Sequence, residues 1–179
     1  AQVQFVQRAA RIEIGFAGGE DADAPAWAVD HRAVERIGAG EGERGADLVL
    51  VQPALDGLGR AYAQLDRAAE AAAVLVESAR LLLVVGDTAQ ALVDWGSAAN
   101  LYYRARMLVE AGDAYAREVA LARVRGAIAT AAHAQVNRGL VLEELRRHDS
   151  SVVALRAALP LVRAISDSAL ETTTLRWIG

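Results

Sequence analysis

Residues 58–71 run Leu58-Gly59-Arg60-Ala61-Tyr62-Ala63-Gln64-Leu65-Asp66-Arg67-Ala68-Ala69-Glu70-Ala71. Helix formers fill both halves, and Leu65-Asp66 interrupts them, so the stretch predicts two helices joined by a tight turn, and Gly86-Asp87 and His148-Asp149 read as further tight turns. A shift of 40 residues carries this pattern along the chain. Gly59, Ala99, Gly139 and Gly179 fall in one column, Tyr62, Tyr102 and Leu142 in a second, and Ala71, Ala111 and Ser151 in a third. Leu75, Tyr115 and Leu155 form a large column, while Gly86, Gly126 and Ser166 stand where each second helix should end. Small positions stay small and large ones stay large, as in a unit that must fill the same gap against each of its copies.

The order of Gly59, Tyr62, Ala71 and Leu75 resembles the tetratricopeptide repeat, whose first helix carries leucine-glycine-x-x-tyrosine and whose second helix sets an alanine against that glycine. The second copy keeps Ala99, Tyr102 and Ala111 and the third Gly139, Leu142 and Ser151, so both are degenerate. The 40-residue period is similar to the longer variant of bacterial regulators and STAND-type ATPases. The resemblance implies an all-α, right-handed superhelix of antiparallel helix pairs, a TPR-like α-solenoid. Its repeats would cover 47–87, 88–127 and 128–167, with a fourth beginning at 168–179. Gly112-Asp113 is out of register: it reads as a turn inside the second helix of the second pair, or as the end of one long helix from about 89 to 111. An array ending at Gly179 would leave an apolar face open, so truncation, disorder beyond 179 or a covering partner is expected, including a homo-oligomer through the exposed C-terminal repeat.

Ahead of the repeats, residues 1–46 read as a separate segment. Val3, Val6, Ala10 and Ile14 share one helical stripe, Gly18 to Pro25 is an acidic loop, 26–37 is a second helix, and Gly38 to Gly45 is a second loop. Leu48-Val49-Leu50-Val51 is the one short β-branched run. Proline occurs only at 25, 53 and 160 and marks expected boundaries.

Composition closes off several chemistries. All 19 basic residues are arginine, so a Walker A lysine and Schiff-base catalysis are excluded. The absence of cysteine removes thiol nucleophiles, zinc fingers, iron–sulfur clusters and disulfides. A net charge of −4 argues against direct nucleic-acid binding, although the first 90 residues carry 14 acidic and 8 basic groups and the rest 9 and 11. The most apolar run, Ala71 to Val85, contains Glu77 and Arg80, which argues against a membrane span. With no leader visible at Ala1-Gln2-Val3, a cytoplasmic protein is expected, and the resemblance to the repeats of bacterial regulators implies a bacterial one.

Isolated motifs have simpler readings. Gly40-x-Gly42-x-x-Gly45 has the dinucleotide-binding spacing, but a helical run, His31 to Ile37, precedes it where that site needs a strand, so it reads as a loop. His31, His133 and His148 lack helical ligand partners; Glu144 and His148, four apart, are expected to meet on one face as a surface pair. Ser97, Ser150, Ser151 and Thr172 to Thr174 have no nucleophile-elbow context. Trp27, Trp95 and Trp177 are the bulkiest side chains, with Trp95 and Trp177 expected in packing.

The resemblance also implies a concave groove lined by successive first helices. By register it holds Asp56, Arg60 and Gln64 from the first repeat, Asn100, Tyr103 and Arg104 from the second, and His133, Asn137, Glu143 and Glu144 from the third. Asn100 and Asn137 occupy the asparagine positions of chaperone-tail clamps, but the clamp's lysines are missing and Gly96 stands at one of them. The expected function is a non-catalytic protein–protein interaction module that takes a peptide, helix or partner domain and needs no cofactor. The alternative is a sensor or oligomerisation segment of a larger STAND-type bacterial regulator, binding a small effector or itself. An enzyme built on Glu143 and Glu144 would need a second acidic cluster, which the sequence does not supply.

Overall fold

The computed structural model describes Leu55, Leu58, Gly59, Tyr62 and residues 65–179. The expected N-terminal segment 1–46, the run 48–51, and Trp27, His31, Asp56, Arg60 and Gln64 lie outside the described residues. Leu58, Gly59 and Tyr62 are helical, and six helices follow: α1 (Ala68–Val85), α2 (Thr88–Arg104), α3 (Leu108–Val124), α4 (Ile128–Glu144), α5 (His148–Ala164) and α6 (Ser168–Ile178). The described residues contain no strand. Each helix packs on the next in sequence, and α4 also touches α6. Connections of two or three residues force consecutive helices to run antiparallel, so the described residues form an all-α, solenoid-like stack of helix pairs.

The shortest structural period is 20 residues. Asp66, Gly86, Arg106, Gly126, Arg146 and Ser166 all have positive φ, and each sits in the middle of a turn. The left-handed residue lets the chain close a helix end with its own amides. Asp87 N–H donates to Leu82 O at 2.8 Å and Gly86 N–H to Leu83 O at 3.3 Å; Met107 and Arg106 repeat the pair on Tyr102 and Tyr103 at 2.9 and 3.0 Å. Only two of the six positions are glycine, so most of these turns leave no glycine signal in the sequence.

Two expected boundaries move for this reason. Gly112-Asp113 is inside α3, and the turn falls at Ala105-Arg106-Met107, so no helix runs from 89 to 111. His148 and Asp149 belong to the first turn of α5 rather than to the break, which is Leu145 to Arg147. Pro160 marks no boundary; it lies within α5 with its ring exposed.

Alanine makes the close packing. Ala71, Ala91, Ala111, Ala131 and Ser151 each stand fourth in their helix and are all but fully buried. In α4 and α5 the paired columns meet directly: Ser151 Oγ donates to Gly139 O at 2.8 Å, and the buried Leu155 covers the space a Gly139 side chain would need. Gly59 faces Leu75 in the same way, less tightly, at 3.7 Å. Trp95 (7% exposed) and Tyr115 (3%) join the main core, together with Ala98, Ala99 and Val119. Trp177, expected in packing, is instead 45% exposed on α6.

Candidate functional site

The expected groove positions on α2 and α4 are brought together through α3. Tyr115, on α3, is buried, and its hydroxyl donates to Asn100 Oδ1 on α2 at 2.7 Å. The side-chain amide of Asn137 on α4 hydrogen-bonds the same hydroxyl. One phenol thus ties the two clamp-like asparagines. Burial, followed by the negative charge of Glu118 and the neighbouring Tyr103, pushes this phenol up to about 12, so it stays neutral and able to donate.

A second link lies further along the two helices, one turn on in α2 and two turns on in α4. The Tyr103 hydroxyl donates to Glu144 Oε1, and Arg106 Nη1 holds the other oxygen, Oε2, at 2.7 Å. The Tyr103 hydrogen bond and the Arg106 guanidinium keep the Glu144 carboxyl below its usual range, while that bond raises the Tyr103 phenol. Both partners are solvent-exposed, so the pair contributes little stability and mainly fixes side-chain positions.

Glu118 completes the cluster. Gly96, buried on α2, has no side chain, and the Glu118 carboxylate fills that space from α3: a Cβ at Gly96 would stand 2.5 Å from Oε1. Burial pushes this carboxyl up to about 7, and it makes no hydrogen bond or ion pair among the described residues. At the position where a clamp would place a lysine, this chain therefore presents an acid from the neighbouring helix. The sequence reading placed Tyr115 only in a packing column and missed Glu118 altogether. Their spacing of three residues along α3, which puts both on one helical face, was the available signal.

The remaining groove candidates are not part of this cluster. Arg104 is exposed and lies 3.7 Å from Asp66 Oδ1. His133 is exposed on α4 without a hydrogen bond or ion pair among the described residues. Glu143 pairs with His148 Nδ1 at 2.7 Å. The expected Glu144–His148 pair does not form, because the turn after α4 separates them and Glu144 faces back to Tyr103. Glu143, Glu144 and His148, with Arg106 and Arg146, line a shallow hollow. Elsewhere, buried Asp94 accepts from Ser78 Oγ and from Gln90 Nε2, which joins α1 to α2.

Among the described residues no group of three or more His, Asp or Glu side chains is placed to hold a metal ion, and no helix is long and apolar enough to cross a membrane. No protein-family model matches the chain, and none of the curated proteins matches it.

Proposed function

We propose that residues 47–179 form a TPR-like, non-catalytic protein-interaction module of a bacterial, cytoplasmic protein, and that it holds a peptide, helix or partner domain along the face carrying Asn100, Tyr103, Arg104, Asn137 and Glu144. The supporting observation is that alternate helices α2 and α4 are joined side chain to side chain, through Tyr115 between the two asparagines and through Tyr103 on Glu144. Side chains already held in place lose less freedom when a partner arrives, so more of each contact is realised as affinity. Tyr and Arg, at Tyr103 and Arg104, are also the side-chain types that anchor interfaces most often.

The test is a photo-crosslinking amino acid placed at Tyr103 or Arg104 in the whole protein, with Arg117 and Arg156, exposed on second helices, as controls. A partner crosslinked from 103 and 104 is then purified, and its affinity measured against alanine variants of Asn100, Arg104 and Asn137. Each is expected to weaken binding roughly tenfold. Unchanged affinity in these variants, with loss of binding on charge reversal of Arg117 and Arg156, overturns the reading.

A second reading, self-association of an oligomerisation segment, rests on α6, where Leu175 and Trp177 are each 45% exposed. Sedimentation velocity decides it: a dimer that disappears in Trp177→Ala supports it, and a concentration-independent monomer removes it.

A further inference from the structure

We propose that the Glu118 carboxylate, seated over Gly96 beside the Tyr115–Asn100 link, is a binding site for a cationic side chain, arginine or lysine, of the partner protein. The proposal deepens the groove reading and rests on it for the partner, though not for the site itself.

Three features of the cluster point to a cation. The first is space: the missing side chain at Gly96 leaves the carboxylate as the group that occupies this part of α2. The second is charge. Glu118 is partly withdrawn from water and has no counter-ion: among the described residues no arginine pairs with it, Arg106 being held by Glu144 and Arg104 by Asp66. A carboxylate in such surroundings gains most from an incoming positive charge. The third is the surrounding hydrogen-bond inventory. Asn100 Oδ1 takes one bond from Tyr115 and keeps a second lone pair. Together with the two carboxylate oxygens it offers acceptors to a group rich in N–H donors, as a guanidinium is. Burial raises the carboxyl to about 7, so the free site exchanges its proton near neutrality and a cation displaces it.

The experiment is an NMR titration of the whole chain with Nα-acetylarginine amide and, in parallel, with Nα-acetylcitrulline amide, a neutral side chain of nearly the same shape. Saturable shifts of the Asn100 and Asn137 side-chain amides and of the Glu118 carboxyl are expected with arginine and not with citrulline. Glu118→Gln is expected to weaken arginine binding roughly tenfold or more while the far-UV helical signal is retained. Gly96→Ala, which displaces the carboxylate without removing it, serves as the second variant and is expected to weaken binding too. Equal shifts from both probes, no saturable shift at the asparagines, or undiminished binding in Glu118→Gln overturns the proposal. Loss of the arginine response with crosslinking at Arg104 intact refutes this site alone; an arginine response without any crosslinked partner refutes the groove reading alone.

Discussion

Leu155 lies across Gly139 so closely that a Cβ on the glycine would stand 2.6 Å from both Cγ and Cδ2 of the leucine. The leucine is fully buried, and its branch point cannot swing away as a chain end could. Gly139→Ala is therefore expected to cost about 1–3 kcal/mol, although alanine is the better helix former. Gly112, facing Val141 Cγ1 at 3.5 Å, has room for a methyl, and Gly112→Ala is expected to gain up to about 1 kcal/mol. Denaturant midpoints of the two variants, measured side by side, check the contrast; equal effects would remove the packing explanation.

Gly96 behaves differently from either. Its would-be neighbour is the far end of a flexible side chain, Glu118 Oε1, so Gly96→Ala should leave stability unchanged or slightly raised. Glu118 should then return toward the ordinary carboxylate range as it is pushed outward, and a carboxyl-detected pH titration of wild type and variant measures this.

Stability should also depend on Glu118. The carboxyl is raised from 4.5 to about 7 in the folded chain, so the folded state binds the proton more tightly than the unfolded state. Its contribution is complete below pH 4.5 and is lost as pH rises through about 7. Glu118→Gln removes the ionisation and is expected to stabilise the protein by about 1–2 kcal/mol at alkaline pH, a figure reduced because water still reaches the carboxylate. Near pH 4 the two proteins should be nearly equal. A variant advantage that does not grow with pH contradicts the assignment.

Tyr115→Phe keeps the buried ring and removes the hydroxyl between Asn100 and Asn137. The expected loss is about 1 kcal/mol, since both amides reach water once freed. Partner affinity should fall further than that if the asparagines must be held in position, and comparing the two losses by calorimetry separates the contributions.

The turns provide a backbone test. Ser166 adopts φ 57° without being glycine, and Gly126 adopts φ 69°. Ser166→Gly is expected to gain about 0.5 kcal/mol and Gly126→Ala to lose about 1 kcal/mol, because a Cβ in the left-handed region crowds the backbone. Thermal midpoints that move in the same direction in both variants would contradict this.

Helix content and the paired unit were legible in residues 58–71 and in the columns 40 apart, because helix propensity is local and stacked copies must alternate small and large side chains at fixed intervals. Gly86 and Gly126 announced their turns. Arg106 and Arg146 did not, since the left-handed conformation there is imposed by the helices on either side rather than favoured by the residue. The two asparagines and Tyr103 could be assigned to one expected groove by register alone.

Their hydrogen-bond partners could not. Tyr115 reaching Asn100 and Asn137, Glu144 turning to Tyr103 rather than to His148, and Glu118 occupying the space above Gly96 each depend on which side chain extends into a gap between separate helices. Register along one helix carries no information about such gaps. Amino-acid order was enough for an all-α array of small-residue contacts, because backbone propensity and periodic volume are properties of the chain read in line. The charge presented at Gly96, acidic where a lysine was the point of comparison, emerged only from the packing of α2 against α3.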